Sequence, residues 1–265
     1  MLQAYIDKKL KFGLLVVFCS AVLCGLIMGL VSQFSIVLAQ VTQNKMLGRA
    51  IYAVSFTALL FLVLMNGYEL FTGNTMLLTA VHKRQHTKKI LLNLLLVYVG
   101  NFLGCLTAAA LLYACKLHET FALAGYLQTL YDTKTGLSAD KMLLLGFLCN
   151  YLVCMGVYLG GKGKTSVETY LNLFFPIAIF VFLGLEHSVA NMYSLFYAAM
   201  VTGSPAGPAF LNLLLVTAGN IAGGVCFAFT TKVKDRVLPA VTAGPVSGDG
   251  GDGNVGDGGT RDSGK

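Results

Sequence analysis

The most informative feature of this sequence is its shortage of charge. Only 12% of its 265 residues are Asp, Glu, Lys or Arg, whereas a soluble globular chain carries about 25%. The mean hydropathy is +0.72, and 56% of the residues are hydrophobic. So little charge can neither cover a water-soluble surface nor keep a chain disordered, and it provides no dense basic face for nucleic acid. We therefore predict an integral membrane protein in a lipid bilayer, with no nucleic-acid partner.

The cysteines are equally informative, because they do not form the framework of a secreted disulfide-rich domain. All of them lie inside apolar runs or at the ends of such runs: Cys19, Cys24, Cys105, Cys115, Cys149, Cys154 and Cys226. We interpret them as small buried hydrophobic side chains. We also find no His-Glu-x-x-His pattern, which would indicate a metal site at membrane depth, and we predict no metal or cofactor.

Long apolar runs predict six membrane crossings. Each run is long enough for the ~20 residues that a spanning helix needs, and continuous rather than alternating hydrophobicity favours helices over barrel strands. The expected spans are residues 12–38, 51–80, 90–114, 142–159, 171–200 and 208–231. The first run is too long for the core of a cleavable signal peptide, so we expect it to remain in the mature protein. The fold class is all-α and polytopic.

Basic residues are divided unevenly between the two sides of this arrangement. Twelve lysines and arginines fall on the side that holds both termini. Five fall on the opposite side: Lys45, Arg49, Lys116, Lys134 and Lys141. The positive-inside rule then puts both termini in the cytoplasm, and we expect the plasma membrane to be the location. The net charge of +7 is explained by this topology. To the connection 116–141 we assign no function.

The end of the chain differs sharply from the rest. Residues 244–265 read GPVSGDGGDGNVGDGGTRDSGK and hold almost nothing to bury, so we predict a flexible, solvated tail after a transmembrane domain of residues 1–243. The GDGGDG spacing raises the alternative of a calcium-binding repeat. That alternative lacks the apolar residues which give such repeats their order.

Two pairs of similar segments indicate an internal repeat. Residues 92–104 read LNLLLVYVGNFLG and residues 211–223 read LNLLLVTAGNIAG; likewise, GYELFTGN at 67–74 matches GLEHSVAN at 184–191. Both pairs keep the same order and nearly the same separation, so the chain is a duplicated three-helix unit with halves at about 12–115 and 142–231. Three crossings per unit is an odd number, so the second copy must enter the membrane from the opposite side. Such inverted repeats are typical of transporters and channels.

Three ionisable residues lie inside the predicted spans: Glu69, Glu186 and His187. Such groups are costly in hydrocarbon and normally face a cavity or a partner. Turn-forming residues around each glutamate predict that the second and fifth helices are broken, with half-helix ends that offer N–H groups to an anion. In the alternative that we favour for the glutamates, the carboxylates only hydrogen-bond backbone groups freed at the breaks. His187 corresponds to Leu70 in the first half, and this asymmetry favours a role in a solute pathway over a core histidine.

These elements resemble the formate/nitrite transporter family. The most specific match is EHSVAN at 186–191, supported by ELFTGN at 69–74 and by the Gly-Asn pairs at 100–101 and 219–220. The resemblance implies an aquaporin-like fold that assembles as a homopentamer with one pore in each protomer. It implies small monovalent weak-acid anions as substrates, such as formate, nitrite, acetate, lactate or hydrosulfide. The TGN at 72–74 is more similar to eukaryotic members and points toward lactate.

The resemblance also implies roles for particular residues. The pathway and proton relay would include His187, Thr72, Asn191, Glu186 and Glu69. Two apolar constrictions around the central histidine would be formed by Phe56, Leu60, Leu70, Phe71 and Phe180. In a vestibule, Lys162 or Lys164 would attract the anion, whereas Ser20 stands where some members have a lysine.

The apolar constrictions indicate in which protonation state the substrate crosses. A bare carboxylate pays a large desolvation cost there and its neutral acid far less, so we expect the substrate to cross with a proton. The proton would come from bulk water or transiently from His187. Three alternatives remain: an electrogenic anion channel without proton coupling, an intramembrane enzyme, and a structural scaffold. Of these the channel is the strongest, because the spans hold no cluster of catalytic groups and a scaffold does not need Glu and His in broken helices.

Overall fold

A computed structural model of the chain describes residues 2–80 and 86–242, and this part is helical without any β-strand. The helices are α1 (Leu2–Lys9), α2 (Leu14–Ala39), α3 (Lys45–Asn66), α4 (Phe71–Asn74), α5 (Thr87–Ala114), α6 (Leu117–Thr120), α7 (Ala124–Thr135), α8 (Ala139–Gly160), α9 (Ser166–Leu183), α10 (Ser188–Thr202) and α11 (Ala206–Thr242). A 3₁₀ segment, Thr75–Ala80, follows α4. The predicted tail, residues 244–265, lies outside the described residues.

Within the described residues, six helices are long and apolar enough to cross a membrane: α2, α3, α5, α8, α9 and α11. The prediction of six crossings is therefore confirmed. The second and fifth spans are broken as expected, but α3 and α9 begin five or six residues earlier than predicted. Each start is set by a polar cap, Asn44 and Thr165, whose side chain accepts backbone N–H groups of the first turn. Hydropathy does not detect this extension because the first turns are charged.

Both broken helices end in the same way. Gly67 closes α3 with φ +68°, and Gly184 closes α9 with φ +69°, which is the left-handed conformation that glycine adopts without strain. The residue after each glycine donates its N–H back into the helix, Tyr68 to Val63 O at 2.9 Å and Leu185 to Phe180 O at 3.0 Å. The chain therefore leaves both helices at a fixed angle and starts the next half-helix four residues later.

The two halves pack through equivalent glycines. Gly104 of α5 lies so close to α2 that an added Cβ would collide with the carbonyl oxygen of Val22, and Gly223 of α11 stands in the same relation to Phe147 of α8. Small residues let membrane helices approach closely, and the bilayer supplies no hydrophobic force to do this instead. The recurrence of this contact in both halves agrees with the inverted repeat.

The cysteine interpretation is correct for only part of the set. Cys24, Cys105, Cys149 and Cys154 are buried, whereas Cys19 and Cys115 are exposed and Cys226 is half-buried. Burial inside the protein could not be inferred from an apolar run, because the outer face of a membrane helix is apolar too.

We expect Gly104→Ala to lower the free energy of unfolding by about 1–3 kcal/mol, because the methyl group must push α2 and α5 apart. Gly207→Ala is the matched control, since a Cβ at Gly207 meets nothing within 4 Å. Thermal unfolding of the purified variants in detergent measures both. Equal melting temperatures would mean that the close packing of α2 on α5 does not limit stability.

Candidate functional site

His187 stands at the second break and contacts the first broken helix. Its Nε2 lies 2.9 Å from Thr72 Oγ1, and its Nδ1 accepts the backbone N–H of Ala190 at 3.1 Å. Because Nδ1 acts as the acceptor that caps α10, a neutral ring carries its hydrogen on Nε2 and donates it to Thr72. Only 3% of His187 is exposed, and Thr72 is fully buried. The structure thus brings together the two residues that the sequence analysis placed at the centre.

A chain of aromatic rings closes the site on one side of His187. The ring of Phe180 stacks on the imidazole with 5.8 Å between centroids, and Phe56 meets Phe180 edge-on at 6.2 Å. Tyr52 stacks in turn on Phe56 at 5.7 Å. Phe56, Phe180 and Leu60 are all buried. The rings of Phe180, Phe56 and Tyr52 therefore form a continuous stack that leads away from His187.

Leu70 borders a cavity of about 770 Å³. The cavity is also lined by Lys8, Lys9 and Tyr68, so it opens on the side of α1. Phe71 points away from it, with its ring edge-on to Tyr98 of α5 at 4.8 Å. The five constriction residues implied by the resemblance therefore do not form one group: Phe56 and Phe180 are paired, Leu60 is buried, Leu70 borders the cavity and Phe71 packs on α5.

At the first break, one asparagine satisfies the backbone groups that the interruption frees. Asn101 Oδ1 accepts the N–H of Phe71 at 2.9 Å, and Asn101 Nδ2 donates to the carbonyl oxygens of Glu69 and Ala21, each at 2.9 Å. An amide can do both because it has an acceptor and two donor hydrogens. The break in α3 is therefore held open by a side chain of α5.

The second break repeats this arrangement. Asn220 Oδ1 accepts the N–H of Ser188 at 2.8 Å, and its Nδ2 donates to the carbonyl oxygens of Glu186 and Gly146 at 2.9 and 2.8 Å. The favoured interpretation of the sequence, in which the two glutamate carboxylates satisfy these groups, is wrong. A carboxylate offers no donor hydrogen to a freed carbonyl, whereas an amide does.

Each glutamate instead belongs to a buried ion-pair network. Glu69 Oε2 accepts from Asn74 Nδ2 at 2.6 Å, Glu69 Oε1 lies 2.8 Å from Lys9 Nζ, and Asn74 Nδ2 also donates to Asn93 at 3.0 Å. Glu69 is 2% exposed. The lysine comes from α1 and neutralises a carboxylate that would otherwise be very costly to bury.

The second network has the same atoms in the same roles. Glu186 Oε2 accepts from Asn191 Nδ2 at 2.6 Å, Glu186 Oε1 lies 2.8 Å from Lys134 Nζ, and Asn191 also donates to Asn212 at 2.8 Å. Lys134 belongs to α7, in the connection to which the sequence analysis assigned no function. That helix is anchored by buried Leu127 and by Tyr131, whose hydroxyl donates to the carbonyl of Pro205.

Sequence reasoning missed both lysines. The available signal was that a buried carboxylate needs a cation, and only five basic residues lie on the side that holds Lys134. Lys162 and Lys164, the residues chosen for the vestibule, are exposed. Lys162 Nζ lies 4.5 Å from the centre of the Tyr158 ring, and the backbone N–H of Lys164 bonds Glu168. Their vestibule role stays a prediction.

Two half-helices that start beside one buried histidine, on an inverted repeat of six spans, define a channel or transporter type of membrane protein. The family model described as Formate/nitrite transporter matches residues 1–233. The chain belongs to the formate/nitrite transporter family. It is an integral multi-pass membrane protein, and because the matching family and structures are transporters and channels, the prediction that it is not an enzyme is confirmed.

Several relatives and solved structures are similar to this chain. Formate channel FocA of Haemophilus influenzae is 31% identical over 68% of this chain and 70% of the relative. Formate-nitrite transporter 3 of Toxoplasma gondii is 29% identical over 82% of this chain, which spans only 46% of that relative. The structure titled "Pentameric formate channel with formate bound" has a TM-score of 0.73 at 23% identity, over 84% of this chain and 98% of that one. An "FNT family ion channel" has a TM-score of 0.74 at 24% identity, over 92% of this chain and the whole of the other.

We expect Lys134→Met to lower the free energy of unfolding by about 3 kcal/mol, because it leaves the Glu186 carboxylate buried without a cation. This is the low end of the usual range, since the Lys134 side chain keeps 21% exposure. Adding Glu186→Gln should recover most of the loss. Unfolding titrations of the single and double variants test this double-mutant cycle.

Lys116→Met is the control. Both side chains of the Lys116–Glu119 pair are exposed, so this pair contributes less than about 1 kcal/mol to stability. If Lys134→Met cost no more than this control, the buried network would not be the stabilising element that its geometry indicates.

Proposed function

We propose that this protein carries small monovalent weak-acid anions across a membrane together with a proton. The substrates would be of the formate, nitrite, acetate and lactate type, and each protomer of a homopentamer would hold its own pore. The observation that carries the proposal is the 2.9 Å contact of His187 with Thr72 beside the Phe56–Phe180 pair. Relatives that are named formate channels, and a similar structure described as a pentameric formate channel with formate bound, support the substrate class and the assembly.

The contact of His187 with Thr72 is the point at which a substrate would be recognised. A formate-sized molecule that enters between Phe180 and Leu70 must break this hydrogen bond. In return, its oxygen atoms can accept from His187 Nε2–H and from the Thr72 hydroxyl. Two donors at one point suit a small acid with two oxygen atoms.

The charges around the site favour passage of the neutral acid over the bare anion. In the part of the chain that the structure describes, the two lysines beside the broken helices are each bound to a glutamate, so each network has no net charge. An anion between the constrictions would thus find hydrogen-bond donors but no unpaired lysine or arginine, and an unpaired ion in an apolar site costs many kcal/mol. Protonation removes that cost, which is why we prefer proton coupling to an electrogenic channel.

The cap on α10 constrains where the proton comes from. For His187 to become an imidazolium, Nδ1 would have to take up a hydrogen and lose its bond from Ala190 N–H. We therefore assign the proton to bulk water, delivered as the pKa of the substrate rises on leaving water, and we assign His187 the role of a neutral donor. We assign the termini to the cytoplasm on the distribution of basic residues alone. The plasma membrane is part of the proposal as well.

Uptake of labelled formate and labelled L-lactate into proteoliposomes tests the coupling. We expect an inward proton gradient to stimulate uptake of at least one acid, because only the protonated form crosses cheaply. Protein-free vesicles give the passive leak of the acid. Flux that followed voltage and ignored the proton gradient would establish the electrogenic channel, and no flux of either acid would refute the proposal.

Two replacements of His187 separate its donor role from its structural role. Asn at an N-cap still accepts the Ala190 N–H, whereas Phe removes both functions. We expect both His187→Asn and His187→Phe to reduce uptake about 3–10-fold, the loss expected for one hydrogen bond to a neutral acid. His187→Asn should keep the wild-type melting temperature and oligomer size. Normal uptake by the Asn variant would show that the imidazole is only a cap.

A further inference from the structure

The outer end of α3 carries a polar residue on the same face as the aromatic constriction. Arg49, Tyr52 and Phe56 follow each other at intervals of three and four residues, so they lie on one side of the helix. Tyr52 stacks on Phe56, and Phe56 meets Phe180. Arg49 therefore stands two helical turns before Phe56 along α3, on the predicted side that holds Lys134.

The guanidinium of Arg49 lies against the second break. One of its terminal nitrogens occupies the space that a Cβ on Gly184 would take, and glycine is favoured at this position by its φ of +69°. Gly184 is three residues before His187 in the chain. The fixed charge of Arg49 is thus held at the outer end of α9, where the chain turns towards the histidine.

A second tyrosine approaches from α7. Burial raises the pKa of the Tyr126 phenol, and the nearby positive charge of Arg49 acts in the opposite direction. Tyr126 is also close enough to Tyr52 for the two phenols to interact electrostatically. Both tyrosines are half-buried, and Tyr52 and Arg49 lie on the same face of α3.

Arg49 differs from the lysines of the site because it has no acidic partner. Within residues 2–80 and 86–242, no carboxylate lies within 4 Å of its guanidinium, whereas Lys9 and Lys134 are each bound to a glutamate. The inverted repeat does not require it either. The equivalent position in the second half is Ser166, and a Cβ at Gly67, the counterpart of Gly184, meets nothing within 4 Å. Its position on Gly184 is a feature of the outer side alone.

We propose that Arg49, with the hydroxyls of Tyr52 and Tyr126, forms a carboxylate-binding site at the outer mouth of the pathway. This inference rests on the proposed function and adds the place where the anion is held before it is protonated. A guanidinium binds both oxygens of a carboxylate through parallel N–H groups, and the phenols donate to the lone pairs that remain. The site takes the ionised substrate from water and holds it beside Phe56, where its next step inward is desolvation.

Labelling of Arg49 by phenylglyoxal tests the site without any need for transport. The protein is labelled in lipid vesicles, and the peptide that contains Arg49 is quantified by mass spectrometry. Formate should slow the labelling at least about fivefold, as occupancy of most sites requires, while chloride at equal ionic strength should not. Tyr52→Phe and Tyr126→Phe should weaken the protection. No protection by formate, or equal protection by chloride, overturns the carboxylate site even if uptake proves to be proton-coupled.

Transport kinetics give the second test. Arg49→Gln should raise the half-saturating formate concentration for entry from the outer side by about tenfold, with the maximal rate unchanged, because the pathway beyond Phe56 is intact. Arg49→Lys keeps the charge but not the paired donors and should recover only part of the affinity. Lys141→Gln removes the same charge from an exposed site on the same side and should change neither parameter. Equal effects of Arg49→Gln and Lys141→Gln, or no effect of either, would refute the assignment.

Discussion

The whole site depends on the need to satisfy backbone groups where a membrane helix is interrupted. A break inside the bilayer frees N–H and C=O groups that lipid cannot hydrogen-bond. Here Asn101 and Asn220 bind the freed groups on both sides of each break and also tie them to a neighbouring helix. Because these bonds fix the first residues of α4 and α10, they also fix Thr72 and His187 at hydrogen-bonding distance.

Function in this fold arises from what the two halves do not share. Asn101 with Asn220 and Glu69 with Glu186 keep the same bonds in both halves, and they build two equivalent frames. At the equivalent position, the first half has Leu70 and the second half has His187. The networks differ in detail as well: Tyr5 donates to the Oδ1 of Asn74, whereas the Oδ1 of Asn191 has no partner among the described residues. A symmetric scaffold thus presents an apolar residue to one half of the pathway and a donor to the other.

The sequence allowed the fold to be predicted well and the site only in part. Six spans, two breaks and the inverted repeat follow from hydropathy and from the repeated Gly-x-Glu-x-x-x-x-Asn pattern, which are local properties. The lysine partners could not be predicted, because Lys134 lies 52 residues from Glu186 and in a connecting helix without a membrane signal. The glutamates were wrongly assigned the role of the asparagines for a similar reason. A residue pattern shows that freed backbone groups need partners, but only the packing of α5 and α11 decides which side chain reaches them.

Paired and unpaired basic residues lie at different positions along the proposed path. Burying a cation at depth would stabilise an anion so well that it could not leave, unless the cation were itself neutralised. The buried lysines are neutralised by glutamates, and the unpaired Arg49 stays outside the Phe56–Phe180 pair, where water still screens it. On the proposed mechanism, charge therefore acts where the substrate is still an ion, and hydrogen bonds from His187 and Thr72 act where it is an acid. Selectivity for weak acids then needs no metal and no charged pore, because an anion that cannot take up a proton is attracted to the mouth and stopped at the aromatic ring pair.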